Sequence, residues 1–126
     1  MINIRKQVDY WRHGASEDWE VANELVQKHR IRHGLFFAHL ALEKLLKAHV
    51  CQNTQNLAPR IHNLVRLAEL TNLTLETEQI NTLADMNAFN LEGRYPDTLM
   101  LPPSYEEAVA YLNRAEEVFQ WLKNQL

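Results

Sequence analysis

The chain has 126 residues, 46% apolar and 23% charged, with a formal net charge of −3 and a pI near 6.0. That length suits one domain over residues 1–126 that buries a core without staples. With only 3 Gly, 4 Pro and 1 Cys, the composition argues against a turn-rich all-β fold, against disorder and against any disulfide framework or Cys-based zinc site within the chain. The net negative charge exerts no global pull on nucleic acid.

Helical periodicity organises the sequence from its start. Over about Ile4 to Lys28, Ile4, Val8, Trp11, Ala15, Ala22 and Leu25 form one apolar stripe, with Trp19 beside it and Gly14 inside. A second helix is predicted from about Arg32 to Cys51 and is apolar nearly all round, which places it at the centre of a bundle. Its exceptions, His39, Glu43 and Lys47, follow at i, i+4 and i+8 and make one polar stripe, with Lys44 beside it. A polar loop over Gln52–Arg60 precedes a short third helix, about Ile61 to Leu70. A fourth starts near Thr77, read as its N-cap, with Ile80, Leu83, Ala84 and Ala88 on one face. Gly93, Pro96, Pro102 and Pro103 exclude regular helix over Glu92–Pro103. The last helix opens on the capping box Ser104-Tyr105-Glu106-Glu107 and continues with Ala108, Leu112, Ala115, Phe119, Leu122 and Leu126 at steps of three and four. The prediction is all-α: a five-helix up-and-down bundle with a long Gly/Pro loop before the last helix.

The basic N-terminal residues are followed by no apolar signal-peptide core, and the stretch from Leu35 to Val50 is too short and too charged to span a bilayer. With the lone cysteine, this predicts a cytoplasmic protein without a membrane partner. Sequence motifs for dinucleotide binding, a P-loop, HExxH zinc catalysis and a nucleophile elbow are absent. His29 and His33 stand four apart without an evident third ligand, so neither a metal nor a cofactor is expected.

Three sets of residues carry candidate chemistry. The His39–Glu43–Lys47 stripe reads either as an i,i+4 ion pair or as a polar patch facing a groove or a second subunit. Pro59-Arg60-Ile61-His62-Asn63-Leu64 reads as a helix start or as an anion site. In Asn90-Leu91-Glu92-Gly93-Arg94-Tyr95-Pro96-Asp97, Arg94 offers a planar fork for phosphate and Tyr95 a ring for base stacking. The alternative role for Arg94 is a latch onto an internal carboxylate such as Glu43 or Asp85. Trp11, Trp19, Trp121, Phe36 and Phe37 supply more apolar surface than a small core readily absorbs, which predicts a homodimer.

The ordered blocks Trp11…Ala15-Ser16-Glu17-Asp18…Ala22…Leu25, Phe37-Ala38-His39-Leu40-Ala41-Leu42-Glu43-Lys44-Leu45-Leu46-Lys47-Ala48, Ile61-His62-Asn63-Leu64, Gly93-Arg94-Tyr95-Pro96-Asp97 and Ser104-Tyr105-Glu106-Glu107-Ala108 resemble the HEPN domain (higher eukaryotes and prokaryotes nucleotide-binding) across nearly the whole chain. The resemblance implies a five-helix bundle that usually dimerises. It also implies a stand-alone prokaryotic module encoded beside a small nucleotidyltransferase, in a toxin–antitoxin-like pair. The ribonuclease branch of that family uses an Arg followed after four to six residues by a His near a late helix. No His follows Arg94 there, and the formal spacing from Arg32 to His39 falls in the second helix. The expectation is therefore a non-catalytic nucleotide-binding or partner module rather than an enzyme. Its candidate contacts are Glu43, Lys44, Lys47, His62, Arg94 and Tyr95, its partner is a small nucleotidyltransferase, and a nucleotide is favoured over RNA as ligand. The alternatives are a ribonuclease toxin with a departed active-site motif and a purely structural dimeric bundle.

Overall fold

In the computed structural model, which describes residues 1–90 and 101–126, five α-helices follow in chain order: α1 (Ile4–Gln27), α2 (Ile31–Thr54), α3 (Leu64–Glu69), α4 (Thr77–Met86) and α5 (Tyr105–Asn124). A 3-10 turn, Asn87–Phe89, extends α4, and no strand occurs among the described residues. The predicted all-α five-helix bundle is the architecture that forms. The Gly/Pro segment falls largely outside the described residues.

α2 is the central element, as its all-round apolarity requires. Leu35, Ala38, Ala41, Leu42, Leu45, Leu46, Val50 and Cys51 are fully buried or nearly so, and α1, α3 and α5 pack around them. α1 runs antiparallel to α2 across a three-residue turn. The close approach at this hairpin is set by Gly34: a Cβ there would lie 2.5 Å from Val26 Cγ2, 3.0 Å from Val26 N and 3.1 Å from the Ala22 carbonyl oxygen. α1 is one long helix that continues without interruption through Gly14. Its buried residues are Ala15, Trp19, Ala22 and Val26, so Trp19 and Val26 replace Leu25 in the predicted stripe. Trp19 stacks on Phe119 of α5 with ring centroids 5.0 Å apart, and that contact brings it into the core.

The turn after α1 is a Schellman motif. His29 N–H donates to the Val26 carbonyl at 2.9 Å and Arg30 N–H to the Leu25 carbonyl at 2.8 Å. Its left-handed residue, His29 (φ 61°), occupies the place where glycine is the usual choice. The ring stacks on Tyr105 at the start of α5, with centroids 4.3 Å apart, and so ties the turn to another helix.

Two predicted helices are corrected by local hydrogen bonds. α3 begins at Leu64, because Asn63 caps it by accepting from Arg66 N–H at 3.1 Å; Ile61 and His62 remain in the preceding loop. α4 is capped at Glu76 rather than Thr77, with Gln79 Oε1 accepting from Glu76 N–H at 2.8 Å. Its inward face is Thr82, Leu83 and Met86, while Ile80 and Ala84 are exposed and Ala88 lies in the 3-10 turn. Thr82 tolerates burial because its hydroxyl donates to the Glu78 carbonyl at 3.1 Å. The Ser104–Glu107 capping box forms as predicted, and Ala108, Leu112, Ala115, Phe119 and Leu122 face the core, joined by Val118. Leu126, past the helix end, is half-buried.

Gly34→Ala should lower stability by roughly 1–3 kcal/mol despite a helix-propensity gain near 1 kcal/mol, because the new methyl meets backbone as well as Val26. Gly14→Ala should be neutral or stabilising by up to about 1 kcal/mol, because the nearest atom is Cδ of the flexible Lys44 side chain, 3.2 Å away. Urea unfolding of the two variants checks this opposition of sign.

Candidate functional site

One helix face and one loop assemble the polar cluster. The i, i+4 spacing places His39, Glu43 and Lys47 on one side of α2, where all three are buried. Glu43 holds the centre: its Oε2 accepts from Lys47 Nζ at 3.0 Å, and Oε1 and Oε2 lie 3.1 and 3.2 Å from His62 Nδ1, whose N–H donates to them. His39 Nε2–H donates to the His62 backbone carbonyl at 3.0 Å, and its Nδ1 lies 3.8 Å from Glu43 Oε1. α2 therefore grips His62 twice, by ring and by backbone. The His62 side chain retains 44% of its exposure, while that of Glu43 retains 6%.

Lys47 has a third neighbour. Its Nζ sits 5.2 Å from the centroid of the half-buried Trp11 ring on α1. Cys51, the lone cysteine, is buried one turn further along α2, and burial raises the pKa of its thiol. On the other side of the clamp, Asn63 Oδ1 accepts from Asn87 Nδ2 at 3.2 Å, and Leu64 N–H donates to Asn87 Oδ1 at 2.8 Å. The cluster is thus continuous from α1 through α2 and the loop to the turn after α4, and Phe89 packs edge-on against Tyr111 of α5 at 5.0 Å.

Of the predicted site residues, Glu43, Lys47 and His62 come together. Lys44 does not join them: one residue on from Glu43 it turns toward α1 and pairs with Asp18 at 2.8 Å. Asp85, one suggested latch for Arg94, holds Arg114 at 2.8 Å. Arg94 and Tyr95 lie outside the described residues. Arg32 of the formal Arg-to-His spacing is exposed on the first turn of α2, whereas His39 is buried. Sequence reasoning gave Trp11 and Asn87 no part in the site and quoted Asn63 only as part of the helix-start segment. Asn63 carried a readable signal, an Asn directly ahead of an apolar helix; Trp11 and Asn87 carried none, because their partners lie 36 and 24 positions away. Among the described residues no group of three or more His, Cys, Asp and Glu side chains is placed to hold a metal ion. No helix among them is long and apolar enough to cross a membrane.

A family model for the HEPN domain matches residues 8–125. The chain belongs to the HEPN family. Two solved structures share this HEPN fold. TT1696 from Thermus thermophilus superposes with a TM-score of 0.79 at 17% identity, covering 95% of this chain and 98% of that one. ST0689, an archaeal HEPN homologue, superposes with a TM-score of 0.70 at 22% identity, covering 94% and 96%. No curated protein sequence matches the chain.

Breaking a buried ion pair from one side leaves the other charge stranded. Glu43→Gln should therefore destabilise the bundle by about 3 kcal/mol or more, and adding Lys47→Met should recover at least about 1 kcal/mol of that loss. Urea unfolding of the single and double variants measures the coupling.

A second histidine ties α2 to α5. His49 Nε2–H donates to the Leu122 carbonyl at 2.7 Å, and burial lowers its pKa from the usual 6.5, against the smaller opposing effect of that hydrogen bond. The neutral ring is the folded form, so the unfolded chain binds a proton first as pH falls. His49 thus contributes its full stability above pH 6.5, and loses it as pH drops below that value toward the folded pKa. His49→Gln, which retains an N–H donor, should flatten the fall in melting temperature between about pH 7 and 5 relative to the parent chain.

Proposed function

We propose that this HEPN chain is a non-catalytic nucleotide-binding or partner module that works with a small nucleotidyltransferase as one half of a toxin–antitoxin-like pair. The observation that carries the non-catalytic reading is the commitment of Glu43. A general base must be poised to take a proton from substrate. Glu43 is buried and already accepts from Lys47 and His62, and Lys47 spends its charge on that carboxylate and on Trp11. Both are scaffolding for the half-exposed His62 edge. Arg94 and Tyr95, in the segment after Asn90, are the proposed phosphate and base contacts. Family membership supports the partner half of the reading. The half-buried aromatic residues Trp11, Phe36, Phe37 and Trp121 support assembly as a homodimer.

Thermal unfolding with each of the nucleoside triphosphates tests the proposal. A bound nucleotide at about a hundredfold excess over Kd adds roughly 2.7 kcal/mol of stability. Arg94→Ala should weaken that binding at least tenfold, about 1.4 kcal/mol, with helix content unchanged. Unchanged stability with every nucleotide, together with cleavage of RNA by the pure protein, would overturn the reading in favour of the ribonuclease alternative.

A further inference from the structure

The α1–α2 turn concentrates basic residues. Five of the six residues from 28 to 33 are Lys28, His29, Arg30, Arg32 and His33, and all five are exposed. Elsewhere Lys44, Lys47 and Arg114 each hold a carboxylate within 3.0 Å. Among the described residues no salt bridge reaches Lys28, Arg30 or Arg32. Glu24 meets Lys28 only through its backbone carbonyl; in the first turn of α5, Glu107 is engaged with Ser104 N–H at 2.8 Å and Glu106 is exposed, and neither forms a salt bridge to the tip. Arg32 stands in the first turn of α2, the end of a helix where cations are disfavoured, whereas Lys28 and Arg30 lie at the C-terminal end of α1, where they are favoured. The His29 ring stabilises the turn through Tyr105, but no carboxylate pairs with Lys28, Arg30 or Arg32 among the described residues.

An aromatic platform lies in the same patch. His29 takes the left-handed conformation at a position where glycine costs nothing, and its exposed ring covers Tyr105 at a centroid distance of 4.3 Å and an interplanar angle of 23°. A duplex hides its base faces. A single strand offers them together with a chain of phosphates, and cations beside an aromatic face meet both.

We infer that the α1–α2 tip is a docking surface for single-stranded nucleic acid, with Lys28, Arg30 and Arg32 on phosphates and the His29–Tyr105 pair stacking a base. The surface is separate from the Glu43 cluster and does not rest on the nucleotide reading above. A tip that binds a strand would deliver RNA, or a nucleic acid held by a partner, to the bundle.

Fluorescence anisotropy of the full chain with a labelled single-stranded RNA of about 15 nucleotides tests it. Three phosphate contacts on a single strand, at a slope near −0.7 each, should reduce affinity roughly twentyfold between 50 and 200 mM salt. Arg30→Glu with Arg32→Glu should weaken binding at least tenfold at the lower salt. The same exchange should leave the melting temperature nearly unchanged, because the acids gained at the α2 N-terminus offset the cation lost beside the C-terminal end of α1. Arg5→Glu with Arg12→Glu, an equal charge change elsewhere on α1, should alter binding less than threefold. His29→Gly, which removes the ring and relieves the left-handed backbone, should weaken RNA binding with the salt slope unchanged. The inference is overturned if the parent chain does not bind the strand, or if the tip and control reversals weaken it equally. It is also overturned if base-free inorganic polyphosphate binds as tightly as RNA and is indifferent to His29→Gly. Nucleoside triphosphate binding should be the same in the tip variants as in the parent, so this test fails or succeeds apart from the preceding one.

Discussion

The Glu43 carboxylate sits on the most buried helix of the bundle, and the surrounding structure is arranged to satisfy both of its oxygens. A buried carboxylate left alone costs several kcal/mol, more than most single contacts return. Its two oxygens are met by a lysine one turn along α2 and by an imidazole from a loop 19 residues away in the chain. The lysine is in turn covered by Trp11, and the imidazole's own backbone is held by His39. This one charge thus determines where the loop between α2 and α3 runs. Through Asn63 and Asn87 it also bears on how the turn after α4 meets the start of α3.

The rest of the bundle tolerates that polar centre because its remaining seams are apolar and close. Gly34 lets α1 and α2 approach nearly to backbone contact, and Trp19 on Phe119 joins α1 to α5. His49 joins α2 to α5 at the far end with a neutral ring and one short hydrogen bond. The molecule therefore has two kinds of buried histidine-bearing junction. One is a neutral fastener between helices, and the other belongs to an ionic clamp with a solvent-facing edge. Only the second offers a ligand something to touch.

Much of this was legible in the sequence, for identifiable reasons. The 3.6 period of α1, α2 and α5 and the Ser104 capping box are local signals, so the helices and their order follow from them. The Glu43–Lys47 pair is local too, four residues apart on one helix. The pairing of Glu43 with His62 is tertiary; the sequence proposed both residues but held no sign that they meet. Trp19 seemed peripheral because its partner, Phe119, is a hundred positions away. Thr82 was overlooked because a hydroxyl that bonds its own helix behaves as an apolar residue. Lys44, beside the stripe in sequence, was counted among the candidate contacts, yet one residue along a helix is a rotation of about 100°, enough to point it at Asp18 instead. The exposed basic run from Lys28 to His33 escaped notice because it straddles a helix boundary and interrupts no periodic stripe.

The account rests on the claim that Glu43, acting through His62, holds the loop and the start of α3 in place. Native-state amide exchange of Leu64 in a His62→Ala chain tests it most directly, since the Leu64 N–H is bonded to Asn87 Oδ1 at 2.8 Å just beyond the clamp while the Glu43–Lys47 pair is left intact. The account predicts that Leu64 loses at least tenfold of its protection while the amides of Leu42 and Leu45 in α2 keep theirs. Protection at Leu64 equal to that of the parent chain would contradict it.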